Sequence, residues 1–273
     1  MTLETLASSP VGVRVIDSLV RHEFATRPIG ELSEALLYRI VAEAAGDVSS
    51  EHWTSDPGRR FPWEDTIAQP DAERLGRAIL AGVAASWWSG DVAARPQVWL
   101  SALGVSPVAG LLAPEVEGKP RTAIWTSSAV KGMPSAWWPL VESGATCPWP
   151  ALSIWRIDPS ADARVFEIRA PDDWRHLCET FPGPVVAGWV TPDWPRAAES
   201  FDGIHLTVDG LISTQGVVLE TAAGLARLGH WDAESTAWLR WPAASVERLG
   251  TIENPSHAPV RRGRASPRAL RRS

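Results

Sequence analysis

Residues 95–103 read RPQVWLSAL, and how this stretch is read decides the fold. Pro96 fixes its own φ, withholds a backbone donor and biases Arg95 away from helix, so a helix is expected to end before it. Val98, Trp99 and Leu100 then bring the β-branched, aromatic and aliphatic composition of a half-buried strand. Runs of the same kind recur downstream: RTAIWTSS (121–128), ALSIWRI (151–157), ARVFEIR (163–169), PVVAGWV (184–190), GIHLTV (203–208) and TAWLRW (236–241). Pro, Gly, Ser or Asp bounds them, as strand ends require. Only PDDWRHLCETF (171–181), with Asp172 or Asp173 as its cap, and DWPRAAES (193–200) read as helices among them.

Upstream of Arg95 the period is different. IGELSEALLYRIVAEAAG (29–46) sets Ile29, Leu32, Leu36, Ile40 and Val41 on one helical face and is expected to stop at Gly46. DAERLGRAILAGVAASWW (71–88) repeats the pattern with Leu75, Ile79 and Val83, opened by Asp71 after Pro70. Between them, residues 47–66 are polar with Pro and Gly and read as a loop. The chain is therefore expected to be α+β: an N-terminal α-helical region over 1–95, a mixed or antiparallel β-sheet domain over 96–251, and a basic tail over 252–273 without fixed structure.

The net charge of −6 conceals an asymmetry, because six arginines, from Arg261 to Arg272, fall in the last thirteen residues. The body before them is strongly acidic, which makes it a poor nucleic-acid binder as a whole. The tail is the one place where weak contact with nucleic acid or another acidic surface is expected. Cys147 and Cys178 make no disulfide framework, and no run approaches the 18 apolar residues of a membrane span. A reduced, cytoplasmic chain without membrane contact is the expectation. Sixteen tryptophans against one tyrosine are read first as core, with a few left to line a flat-ring ligand site.

Catalytic signatures of several kinds are missing: no G-x-S-x-G, no phosphate loop, no G-x-G-x-x-G after a strand and no H-E-x-x-H. Six scattered histidines make no zinc site. What remains are polar islands in apolar strands: Thr126, Ser127 and Ser128 ending one strand, Asp202 in the turn FDGI, and Asp232 and Glu234 in GHWDAESTAWLRW (229–241). Read plainly, the serines end a strand, Gly203 serves a turn, and the two acids make an Asx turn and a cap.

The series KPRTAIWTSS, DGIHL and HWDAESTAW, spread over roughly 96–245, resembles Trp-rich bacterial and phage proteins with a W-x-S, D-G-I, W-D-x-E-S pattern. That pattern is similar to the ADP-ribosyltransferase-like fold. The resemblance implies an NAD-dependent ADP-ribosyltransferase or NAD glycohydrolase, with NAD as substrate and an acceptor the sequence does not name. Its alternative is a degenerate domain of the same fold that binds protein or nucleotide without turnover. Glu234 then matches the family's late glutamate, and Ser127, flanked by Thr126 and Ser128, its middle-strand serine. At the first-strand position the family carries Arg or His, whereas this chain has Trp99 followed by Ser101. Trp99 and Ser101, which stand at that position, and Asp202 in the FDGI turn are the further expected NAD contacts.

Overall fold

A computed structural model describes residues 2–21, 33–51, 69–84, 95–103, 105, 119–120, 123–144, 149–241 and 243–257. Four helices precede the sheet: α1 (Leu3–Ser8), α2 (Pro10–Arg21), α3 (Glu34–Glu51) and α4 (Gln69–Ala84). The helix expected to stop at Gly46 continues to Glu51 as α3. Val48 and Ser49 are buried there, and the Gln215 amide donates to Ala45 O (2.8 Å) and Ser49 Oγ (3.1 Å). Tertiary contacts thus carry the helix through a residue of poor propensity. The remainder of the expected loop, 52–66, lies outside the described residues.

The sheet has seven strands in the order β4-β5-β8-β2-β1-β3-β9: β1 (Gln97–Ala102), β2 (Ile124–Ser128), β3 (Ala151–Pro159), β4 (Val165–Ile168), β5 (Gly203–Leu206), β8 (Ser235–Trp238) and β9 (Ala243–Glu253). A separate hairpin joins β6 (Val218–Thr221) to β7 (Gly224–Arg227). All pairs are antiparallel except β4 with β5. That parallel pair is connected through α6 (Pro171–Thr180) and α7 (Trp194–Ser200), the crossover a parallel pair needs. Asp193 caps α7 through Arg196 N–H (3.1 Å). Asp173 closes the start of α6 by accepting from Arg169 and Ala170 N–H at 2.8 and 2.9 Å. The mixed α+β architecture with a mostly antiparallel sheet agrees with the sequence reading.

Strand β2 is the pivot. Ile124–Thr126 pair with β8, whereas Ser127 and Ser128 pair with β1, so one short strand links the two halves of the sheet. Period-two alternation gives the sheet two different faces. Phe166, Ile168, Ile204, Leu206, Ala237 and Trp125 join the main apolar cluster, which also holds Leu6, Val15, Tyr38 and Leu75 from the N-terminal helices. The middle layer is α8 (Val208–Thr214), capped by Thr207 accepting from Gly210 N–H (3.0 Å). A Cβ at Gly210 would lie 2.0 Å from Ile168 O, so glycine alone permits this approach of helix to strand. The opposite face carries a smaller cluster of Trp99, Ile124, Ile157 and Trp238.

Two expectations change. PVVAGWV is no strand: Val186 and Trp189 exchange both backbone hydrogen bonds at 2.9 Å around Ala187 and Gly188, whose φ values are 51° and 85°. Two consecutive positive φ angles make this a tight reversal, which an Ala-Gly pair at its centre allows. At the other end, ordered chain passes residue 251. β9 runs to Glu253, and buried Asn254 donates to Pro150 O (2.8 Å) and Trp149 O (2.9 Å) before a 3-10 turn at Pro255–His257. Residues 258–273, which hold the six arginines, lie outside the described residues.

Candidate active site

Glu234 sits at the entry to β8, where β8 runs beside the last residues of β2. Alternation places it with Thr236 and Trp238 on the face away from the helices. Its carboxylate is 1 % exposed and receives three donors. Ser128 N–H gives to Oε2 at 2.9 Å, and Ser128 Oγ–H gives to Oε1 at 2.8 Å. His205 Nε2 lies 2.8 Å from Oε1. The backbone is held as firmly, because Glu234 N–H donates to the Tyr38 hydroxyl of α3 at 2.9 Å. Burial, and then the Glu234 charge, push the Tyr38 hydroxyl well above its ordinary range, so it stays a neutral phenol at this contact.

Behind His205 stands Glu167 of β4, its Oε1 3.6 Å from His205 Nδ1, an ion-pair distance rather than a hydrogen bond. Glu167 Oε2 accepts from Arg169 Nε at 2.5 Å. Burial opposes a charge on Glu167, yet His205 and Arg169 outweigh it and hold its carboxyl at about 2. Burial likewise opposes a charge on His205, and the carboxylates of Glu167 and Glu234 outweigh it, raising the imidazole above 6.5. Further along the same face, Thr126 and Thr236 hydroxyls donate to Gln97 Oε1 at 3.0 and 3.2 Å, and Trp238 Nε1–H donates to Thr126 Oγ1 at 2.8 Å. A polar row thus runs along this face from the part-exposed Glu167 to buried Gln97.

The expected site residues separate into two groups. Glu234 and Ser128 meet directly, and Thr126 belongs to the same row. Ser127 does not touch Glu234; alternation turns it to the other face with Trp125, and its buried hydroxyl has no hydrogen-bond partner among the described residues. Trp99 packs with Ile124, Ile157 and Trp238. Ser101 lies four residues beyond Gln97 on β1, about 13 Å along the strand, where it donates to Val105 O (2.8 Å) and accepts from Trp155 Nε1 (3.2 Å). Asp202 lies beyond the Gly203 end of β5, which pairs with Trp238 rather than with the residues beside Glu234. There it accepts from Arg164 N–H (2.8 Å), and its carbonyl accepts from Leu239 and Arg240 N–H.

Asp232, two residues before Glu234, faces elsewhere. Its φ is 58°, in a three-residue turn closed by Ala233 N–H to Trp231 O at 2.7 Å. Its carboxylate accepts from the Ser49 hydroxyl of α3, and its N–H donates to Gln215 Oε1 (3.1 Å). Trp231 between the strained His230 and Asp232 meets Trp125 edge-on at 4.8 Å, and the Lys119 ammonium lies 5.0 Å over the Trp125 ring. The two acids of one short motif therefore serve opposite sides of the sheet.

His205, Glu167 and Tyr38 were absent from the expected site. The first two had a legible signal: in VFEI and GIHL a charged or titratable residue occupies the same position of two short apolar strands. Once those strands pair in parallel, Glu167 and His205 are neighbours. Tyr38 had no such signal, because only docking of α3 brings it there. No known protein family, curated protein or solved structure matches the chain.

Proposed function

We propose that this protein cleaves the nicotinamide–ribose bond of NAD and passes ADP-ribose to an acceptor, or to water where no acceptor is present. The observation that carries the reading is the contact between Ser128 and Glu234, 106 positions apart, through both carboxylate oxygens. It pairs a middle-strand serine with a late glutamate, as the resemblance implies, with Ser128 in the place expected of Ser127. In such a reaction the bonding pair leaves with nicotinamide, and positive charge develops at the ribose anomeric carbon. A fixed carboxylate stabilises that charge and accepts from a ribose hydroxyl. Three donors converging on Glu234 give it the fixed orientation this role requires.

A second reading has its own support. Glu234 is 1 % exposed, and Trp99 holds the first-strand position where the resemblance implies an Arg or His. Both favour a domain of this fold that binds a nucleotide or protein without turnover. Incubating the full chain with NAD and measuring released nicotinamide decides between them. Release that stops on Ser128→Ala or Glu234→Gln supports the enzyme. Calorimetric binding of NAD without release supports the second reading, and neither binding nor release overturns the enzyme and removes NAD as the bound nucleotide.

A further inference from the structure

We propose that His205 is a positioning residue for Glu234, and that Glu167, held in turn by Arg169, steadies His205 from behind. The proposal deepens the NAD-cleaving reading and rests on it for its catalytic consequence. The geometry stands by itself. The His205 imidazole is 1 % exposed and bridges two carboxylates on two neighbouring strands, with Nε2 2.8 Å from Glu234 Oε1 and Nδ1 3.6 Å from Glu167 Oε1. An imidazolium presents an N–H to each side, donating to Glu234 Oε1 through Nε2 and facing the Glu167 carboxylate as an ion pair through Nδ1. A neutral ring would turn a lone pair toward one of them.

The consequence is a division of labour within Glu234. Oε1 takes two donors, Ser128 Oγ–H and His205 Nε2–H, and Oε2 takes one, Ser128 N–H. A carboxylate oxygen accepts about two hydrogen bonds, so among the described residues Oε2 has one acceptor direction unused while Oε1 is filled. The oxygen left to meet a ribose hydroxyl is thus Oε2, and His205 is what makes the two oxygens unequal. The charged and titratable groups facing this set are Glu167 and Arg169 from β4 and the residue after it, Glu234 at β8, and Tyr38 from α3. Ser128 and Thr236, the other neighbours, do not titrate in the working range.

Side-chain nitrogen NMR of the full-length chain tests the arrangement without any assay of activity. His205 should titrate above 6.5 with both nitrogens protonated below its midpoint. Glu234→Gln and Glu167→Gln should each lower that midpoint by about one pH unit or more, the scale of losing an adjacent opposite charge. A midpoint at or below 6.5, or one indifferent to Glu234→Gln, overturns the proposal. In the NAD assay His205→Ala should lower kcat about tenfold or more with KM little changed, as misplacing a reacting group does. His205→Gln, whose amide N–H replaces the Nε2 donor, should restore part of it. If the parent releases nicotinamide and His205→Ala keeps full kcat, positioning is refuted. If the parent releases none, the NAD reading fails while the NMR titration still decides whether His205 holds Glu234.

Discussion

On one face of the central strands, Ile168, Ile204, Leu206 and Ala237 meet helices. On the other, His205, Glu234, Thr236 and Thr126 form a row that is equally buried but polar, with the part-exposed Glu167 at its end. The same short strands supply both, one residue apart. The apolar face gains from area removed from water and needs no exact partner. Its polar counterpart gains only where each donor finds its acceptor, since a buried polar group left unpaired costs about 1–3 kcal/mol. The first face tolerates substitution by volume, and the second only by hydrogen-bonding pattern. A row of this kind is expensive to maintain in a core and points to use.

The largest effect comes from stripping the apolar face. Removing residues 1–95 takes away Leu6, Val15, Leu19, Tyr38, Val41, Leu75 and Ile79, all buried in the cluster that includes Ile204 and Leu211. The fragment 96–257 is expected to lose its cooperative melting transition and to aggregate. A monodisperse fragment melting like the parent would show that the helices are an independent unit. Next in size, Ile204→Ala should cost about 2–5 kcal/mol as a core truncation. Thr236→Val on the opposite face removes one of two donors to Gln97 Oε1 and should cost about 1 kcal/mol. Equal losses in urea melts would abolish the distinction between the faces.

The apolar face was readable in part, because period-two alternation in VFEI and GIHL puts Phe166 and Ile168, and Ile204 and Leu206, on one side, whereas in STAW the bulky Trp238 turns to the other. Strands β1 to β5 and β8 follow from residue type, and α6 and α7 from their Pro and Asp starts. Elements that depend on distant partners were not readable. β9 (AASVERLGTIE) is mostly exposed, with no alternation to announce it, and exists because β3 offers a nine-residue ladder. α8 hides behind Thr207, which ends a strand and caps a helix at once. In the polar row, Ser128 and Glu234 were legible as residue types. Which of three adjacent hydroxyls makes the bond was not, because one residue of register exchanges the faces of β2.

A change at the centre of the polar row sharpens the contrast further. Glu234→Gln keeps an oxygen for Ser128 Oγ–H and His205 but turns an amide toward Ser128 N–H, donor against donor. Turnover, if the NAD reading holds, should fall about 10²-fold. Because this carboxylate is buried, the fold should also lose about 1–3 kcal/mol. Calorimetry and nicotinamide release on one sample measure both losses, and an unchanged rate would remove Glu234 from the chemistry.

The two faces also differ in what pH does to them, since the polar row holds a histidine and a carboxylate whose titration folding shifts in opposite directions. Folding raises His205 above 6.5, so its contribution is complete below 6.5 and is lost as pH climbs through the raised value. Glu167 is held at about 2 against an ordinary 4.5, so its contribution is complete above 4.5 and is lost as pH falls toward 2. The share of stability owed to this pair is therefore greatest between 4.5 and 6.5. Tm measured from pH 3 to 9 should fall on both sides of that window. Glu167→Gln should flatten both limbs, and a parent profile already flat would show that these charges do not couple to folding.

The smallest effect tests whether the two acids of WDAES do different work. Asp232 holds Ser49 and, through its N–H, Gln215, both on the helix side, and it sits at φ 58°, where Asn is tolerated as well as Asp. Asp232→Asn keeps an oxygen for the Ser49 hydroxyl and keeps the turn, losing only the charge that faces Lys119. Burial lowers the Lys119 pKa and Asp232 counteracts this, so without the aspartate the lysine should be lowered further. A loss of at most about 1 kcal/mol in the melting curve is expected, with nicotinamide release unchanged. Glu234 and Asp232 are two residues apart, so a variant that merely disturbed the local turn would harm both readouts alike. A rate loss in Asp232→Asn as large as in Glu234→Gln would therefore tie the helix-side contacts to the site and end the separation of the two faces.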